Sequence, residues 1–439
     1  MGITCREFKA GLAVTFLGAV STLASAEELT IATVNNADMV VMQKLSPQWE
    51  KESGHTINWV ILEENVLRQR ATTDIATKGG QFDIVTIGAY EAPIWGKQGW
   101  LNTLDDLGDD YDYEDIFDGV RNGLSVDGKM VAVPFYAESS FTFYRTDLFE
   151  NAGLTMPEQP TNEDIMGFAE KLHDPENGTY GICLRGKAGW GENMAYVGTL
   201  VNTFGGDWFD MDWNPQLDTP EWKEAVTFYA DILTNYGPPG ASSNGHNENR
   251  ALFANGSCAM WVDATSAAGA IYNPKESKVS DVTSFAPAPI SSTPKGAGWF
   301  WAWALAIPSS SEKVDAAKEF LKWSTSKEYV TLVGESEGWV AVPPGTRHST
   351  YENPAYLEAA PFASFTKDAI LSADPADSTR DPVPYVGVQF VTIPEFQGLG
   401  TTVGQNVAAV IAGNSTVEEA LSTSQAVAER TMEQAGYIK

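Results

Sequence analysis

Histidine and cysteine are scarce in this chain of 439 residues, which holds four of the first and three of the second. His55, His173, His246 and His348 are scattered, and no His-Glu-x-x-His run occurs. That argues against a metal centre, which wants clustered ligands. Basic residues are few as well, 28 against 58 acidic ones. A field of that sign repels nucleic acid, and no basic stripe offsets it. The apolar run over residues 10–20 is too short to span a bilayer, and nothing later is longer. Internal repeats and low-complexity stretches are missing too.

What is present begins with an export signal. Arg6 and Lys9 precede the apolar run, and Ala24-Ser25-Ala26 supplies the small residues of a cleavage site. A secretory leader cleaved after Ala26 and a periplasmic mature chain are therefore expected. No cysteine stands at the cleavage site, so a lipid anchor is not indicated. Removing the leader's net +1 takes the whole-chain charge of −30 to about −31. Such a surface keeps an exported protein in solution. Cys183 and Cys258 remain, each in a strand-like run. In an oxidising compartment they either pair or stay as separate buried thiols, and spacing does not decide.

The mature chain is long enough for two domains. Residues 29–34 read as a strand. The segment Asn35-Asn36-Ala37-Asp38 follows, and Met42, Leu45 and Trp49 then share one face of a helix that Gly54 ends. Residues 56–62 read as a second strand, residues 63–79 as a helix through Arg68 and Arg70, and residues 82–87 as a third strand. This order predicts an α/β fold with a mainly parallel sheet flanked by helices. Such sheets bind ligands beyond the carboxyl ends of their strands. Residues 35–38, 63–65 and 88–91 fall there, bringing Asn36, Glu64 and Tyr90 to one rim. Helix capping and the helix dipole are competing uses for Asn36, Asp38 and Glu64.

Residues 131–144 read as a strand running on into a second region, with Tyr136, Glu138 and Ser140 on one face. Landmarks of that region are helices over residues 162–172 and 221–234 and strands over 180–185 and 258–263. Residues 309–312 fit a capping box ahead of a helix carrying Val314, Ala317 and Leu321. The last quarter is mostly helical. Two discontinuous lobes joined by a hinge follow: residues 27–137 with 289–342, and residues 138–288 with 343–439. The crossings fall near Glu138, Ala288 and Pro343.

Residues 298–308 (GWFWAWALAIP) stand out. Trp299, Trp301 and Trp303 recur every second residue, so a strand puts them on one face. One reading is a packed core. The other is a stacking wall for the C–H face of a sugar or polyol. Gly298 places Trp299 nearest the opening, with Trp301 at the ligand's end and Trp303 deeper in packing. Trp190, in the glycine-rich loop 185–193, is the candidate for the opposing wall.

Carboxylates and guanidinium groups suit a ligand dense in hydroxyls, since each can engage two neighbours, and a buried hydroxyl without a partner costs roughly 1–3 kcal/mol. With the aromatic residues Tyr90, Trp190, Trp299 and Trp301, the candidate binding residues are Asn36, Glu64, Arg68, Glu138, Arg185, Glu192, Asp263, Arg347 and Gln389. Arg68 has a helix-face ion pair as its alternative, and Arg347 a role anchoring the crossing strand. No catalytic residue, metal ligand or cofactor is assigned. Residues 334–338 (GESEG) match a nucleophile elbow in letters, but a helix precedes them, the reverse of the required order. Lys187 is followed by Ala188, which breaks a phosphate-binding loop. A secreted glycosidase is the alternative from another class. Paired carboxylates, which it needs, are unavoidable among 58 acids.

Several runs together carry a resemblance: residues 63–70 (EENVLRQR), 79–84 (GGQFDI), 180–193 (YGICLRGKAGWGEN), 238–244 (PPGASSN) and 383–390 (VPYVGVQF). Across the mature chain the sequence resembles the family 1 extracellular solute-binding proteins of bacterial ABC importers, and among them the sorbitol/mannitol-type polyol binders. The resemblance implies a two-lobe periplasmic binding fold with a hinge. It also implies a polyol or monosaccharide in the cleft, such as mannitol, sorbitol or galactitol. Its partner would be an inner-membrane permease, with no catalysis. A monomer is expected.

Overall fold

The computed structural model describes residues 1–2 and 26–439. The expected leader lies, apart from its two ends, outside the described residues. No helix among the described residues is long and apolar enough to cross a membrane.

The first sheet starts as the periodicity predicts. Glu28–Thr33 (β1), Thr56–Ile61 (β2) and Ile84–Gly88 (β3) lie parallel, separated by helices Ala37–Ser53 (α1) and Glu64–Thr77 (α2). Gly54 stops α1 with φ 81°, a left-handed turn that costs glycine nothing. Glu63 caps α2, its carboxylate accepting from the amides of Asn65 and Val66. The cap fixes the first turn of α2 above the end of β2, so Glu64 and Arg68 project over the sheet edge, one helical turn apart.

The remaining strands are Ser125–Val126 (β4), Lys129–Met130 (β5), Val133–Glu138 (β6), Ser140–Arg145 (β7), Tyr180–Cys183 (β8), Cys258–Ala264 (β9), Thr283–Pro287 (β10) and Trp301–Ala306 (β11). β4 and β5 form a small hairpin. The two main sheets run β2-β1-β3-β11-β6 and β10-β7-β9-β8. The first three strands of the first sheet are parallel, as expected. Each sheet also holds one strand opposed to the rest, β11 in the first and β7 in the second. Both have just crossed from the other sheet. The chain leaves the first sheet along its edge strand β6, passes Ser139 and enters the second as β7. It returns from edge strand β10 through residues 288–300 to enter the first as β11. This exchange stitches the two sheets together without a long linker.

The strand expected over residues 131–144 is thus two strands in two sheets, broken at Ser139. Ser139 is held by Thr265, whose Oγ1 accepts from its amide at 3.1 Å and whose amide donates to its carbonyl at 2.8 Å. A third passage runs beside them, with Ala137 N donating to Pro344 O at 2.9 Å. The expected capping box at residues 309–312 does not form. The helix starts at Val314 with Lys313 as its cap, and Ser311 Oγ turns instead to Asp83 Oδ1 at 2.9 Å. Ser336 sits inside the helix Lys327–Glu337, which removes the nucleophile-elbow reading.

The cysteine alternatives resolve into a disulfide. Cys183 ends β8 and Cys258 opens the neighbouring parallel strand β9, with Cα atoms 5.9 Å apart. The closing helices Phe396–Ile411 and Val417–Ala435 pack on Asn193–Phe204 and Pro220–Tyr236, beside the second sheet.

Candidate functional site

The two sheets face each other across a closed cleft. Its cavity is lined from both sides and holds about 450 Å³ outside protein atoms, water at its mouth included. Bonds between the two sides fasten the rim. Lys187 Nζ reaches Glu63 at 2.7 Å, Asn65 Nδ2 donates to Ala188 O at 3.2 Å, and Tyr90 OH donates to Ile393 O at 2.9 Å.

From the first sheet come Asn36 and Glu64, two of the three residues expected at the rim, together with Arg68 one turn along α2. Asn36 stands at the N-cap position of α1 but does not cap it. Its Nδ2 donates to Tyr136 OH at 2.9 Å, and its Oδ1 accepts from Asn247 Nδ2 at 3.4 Å. Arg68 does make the helix-face pair, with Glu64 at 2.8 Å, and a second pair with the buried Glu91. Its guanidinium also lies over the Trp190 ring, 4.0 Å from the centroid, and within 5.1 Å of the Trp301 and Trp303 rings. Arg68 therefore makes the helix-face ion pair and lines the cavity at the same time.

The indoles differ from expectation in one respect. Trp299, Trp301 and Trp303 all line the cavity, so placing Trp303 in deeper packing is corrected. Trp299 precedes the strand rather than belonging to it, and the pairing of β11 with β6 shifts register just after Trp303. The three rings therefore fan out instead of stacking in file. A Cβ at Gly88 would collide with the Trp301 ring, so glycine there lets the indole lie flat on β3. Trp190 meets Trp301 edge to face at 5.7 Å and carries the Arg68 guanidinium over its ring, so it joins the aromatic cluster of the cavity wall.

From the second sheet comes Arg185, whose guanidinium lies 5.2 Å from the Trp299 ring. Asp263 does not line the cavity. It sits behind Arg185 with 0% exposure. It accepts from Arg185 Nε at 2.9 Å, Arg185 Nη2 at 2.6 Å, Trp261 Nε1 at 3.1 Å, His246 Nδ1 at 2.8 Å and Ala264 N at 2.7 Å. Burial alone would raise its pKa, but Arg185 and His246 outweigh burial and hold it well below the usual carboxylate range.

Glu138 closes β6 at the crossing and accepts from Ser266 Oγ at 2.5 Å. No cation among the described residues forms an ion pair with it, and burial pushes it up to about 8. Glu192 stands one layer back, accepting from His246 N at 3.2 Å and 3.7 Å from Lys187 Nζ. Burial, then Glu64, raises it to about 8. Gln389 lines the cavity with its amide already paired to both backbone groups of Phe300. Two candidates lie elsewhere. Tyr90 packs behind Trp190, rings 4.7 Å apart. Arg347 is buried against the other face, donating to the carbonyls of Tyr111, Asp112 and Thr325 and to Asp115. All three of its side-chain nitrogens are engaged there, which is the anchoring alternative.

Tyr136, His246, Trp303, Gly191 and Ala195 line the cavity without having been proposed. Tyr136 carried a signal, since it shares a strand face with Glu138. His246 carried none, because it starts a helix after a proline- and glycine-rich loop.

The raised carboxyls set a pH dependence. Glu138 and Glu192 at about 8, and Asp38 at about 7 through burial, lie above their unfolded values near 4.5 and 3.8. The folded state therefore holds more protons between those limits, and the associated stability falls as pH rises through 7 to 8. Calorimetry should find a lower melting temperature for the ligand-free protein at pH 8.5 than at pH 6.5. A flat or rising trend would contradict the burial of these groups.

The chain is 55% identical over 434 residues to the mannitol-binding protein of Pseudomonas aeruginosa, covering 99% of each. Its fold superimposes on an ABC transporter solute-binding protein from Agrobacterium vitis S4 with bound D-mannitol, with TM-score 0.93 and 58% identity. The match covers 94% of this chain and 100% of that one. A ribitol-complexed solute-binding protein from Agrobacterium radiobacter K84 matches at TM-score 0.81 and 25% identity, covering 92% of this chain and 98% of that one. The model of the bacterial extracellular solute-binding protein family matches residues 34–331. With two α/β lobes closed around one polar, tryptophan-walled cavity, the chain belongs to the family of bacterial extracellular solute-binding proteins.

Proposed function

We propose that this chain captures a hexitol such as D-mannitol in the periplasm and hands it, as a monomer, to an inner-membrane ABC permease. The carrying observation is the lining of the cavity. Carboxylate and guanidinium groups converge on a space walled by four indoles. A linear polyol offers a hydroxyl at every carbon for the charged groups and a C–H edge for the indoles. The P. aeruginosa and A. vitis relatives, named for or bound to mannitol, support the same choice. In this reading the moving bodies are residues 27–137 with 289–342 and residues 138–288 with 343–439, and the ligand stabilises the closed form by its differential affinity.

Asn36, Glu64, Arg68, Glu138, Arg185, Trp190, Trp299, Trp301 and Gln389 contact the ligand directly in this account. Glu192, Asp263 and Tyr90 support them from behind. Nothing favours the glycosidase alternative, and its relatives are binding proteins of transporters. The test is tryptophan fluorescence across a panel of hexitols, pentitols and monosaccharides. A hexitol should change the emission saturably, and the change should shrink in Trp190→Phe, Trp299→Phe and Trp301→Phe. It should persist in Trp222→Phe, whose ring is buried away from the cavity. An unaltered signal in all three cavity variants would remove the indoles from the site.

A further inference from the structure

We propose that His246 is a direct, specificity-determining acceptor, its Nε2 taking a hydrogen bond from one hydroxyl of the ligand while Asp263 fixes the ring in that role. The inference rests on the polyol reading above. His246 opens the helix His246–Ala254 and lines the cavity, with its side chain 14% exposed. Its Nδ1 lies 2.8 Å from Asp263 Oδ1.

That oxygen has no proton to give. Asp263 is fully buried, and its other four donors are the Arg185 Nε and Nη2, the Trp261 indole and the Ala264 amide. A carboxylate so surrounded stays ionised and only accepts. Two lone pairs facing at 2.8 Å would repel, so Nδ1 must carry the proton. Arg185 Nη2 approaches the same nitrogen at 3.3 Å, but its 2.6 Å bond to Asp263 is the shorter one. Burial favours the neutral ring, lowering its pKa against the opposing pull of Asp263. A neutral ring with its proton on Nδ1 leaves Nε2 bare. Among the described residues Nε2 has no hydrogen-bond partner.

A bare ring nitrogen at the wall of a polar cavity accepts and cannot donate. A hydroxyl satisfies it. A carbonyl or carboxylate oxygen at the same place would face it lone pair to lone pair. The aspartate therefore acts at a distance, as a positioning residue for both Arg185 and His246, and His246 discriminates by the direction of one hydrogen bond.

Nitrogen-15 NMR of the full protein with labelled histidine tests this at neutral pH. In the ligand-free protein His246 should show Nδ1 protonated and Nε2 unprotonated, and saturation with D-mannitol should shift the Nε2 resonance in the direction of an accepted hydrogen bond. His246→Ala should weaken D-mannitol binding at least tenfold, and His246→Gln, which restores an acceptor, should recover part of that loss. A protonated Nε2 in the ligand-free protein, or an Nε2 resonance unmoved at saturation, overturns the proposal. Should neither D-mannitol nor any other hexitol bind the wild-type protein, the polyol reading falls, while the ligand-free spectrum still decides the state of His246.

Discussion

Asp263→Ala should abolish measurable ligand capture and destabilise the fold by about 3–5 kcal/mol, the usual cost of leaving one member of a buried ion pair alone. The residue touches no ligand in this account. Its carboxylate neutralises Arg185, which is only 6% exposed, and gathers three further donors besides. Removing it leaves a buried guanidinium without a counter-ion and frees His246 to turn or change tautomer. Loss of the Arg185 position alone should lower affinity more than tenfold, or 1.4 kcal/mol and beyond. Asp263→Asn should not rescue, because an amide presents a donor where Arg185 already presents one. Denaturant unfolding with titration calorimetry reads both effects. A folded variant with unchanged midpoint and affinity would remove Asp263 from any role at the cleft.

Arg68→Met should weaken binding by a comparable amount, at least a hundredfold, about 2.8 kcal/mol. Three contributions act together. The cation lying on Trp190 bridges the two sides of the closed cleft, an interaction worth up to about 2 kcal/mol when desolvated. Glu91, 2% exposed, would lose its only ion-pair partner among the described residues. Glu64 would be released from its fixed place at the cavity wall. Arg68→Lys should recover little, since one ammonium cannot serve both carboxylates and stack on the ring in the way a planar fork does. Calorimetric titration of both variants checks this. Lysine matching arginine would show that only the charge matters.

Why part of this was legible from sequence, and part not, follows from how each residue is positioned. β1, β2, β3 and their helices were readable because apolar periodicity and Gly54 act locally. Asn36 and Glu64 then followed from the rule that loops at strand carboxyl ends face the ligand, whereas Tyr90, placed at the same rim by that rule, packs behind Trp190. The swapped, antiparallel placing of β7 and β11 was not readable, because pairing partners far apart in sequence decide strand direction. Trp303 was misjudged for a related reason. Strict alternation sends three indoles down one face in file, whereas a strand that starts only at Trp301 and shifts register after Trp303 spreads them around one cavity. Arg347 and Asp263 show the limit of residue type as a guide. A buried guanidinium satisfied by backbone carbonyls and a carboxylate that works through its neighbours look, in sequence, like any other ligand-facing pair. His246 needed the fold itself, since only the meeting of the helix His246–Ala254 with the end of β9 brings it to Asp263.

The most direct test of the central claim is isothermal titration of the purified protein with D-mannitol. Saturable heat at one ligand per chain, lost in Asp263→Ala, is the predicted result. No saturable heat with D-mannitol, or with any other hexitol under the same conditions, would contradict the assignment of the cleft as a polyol site.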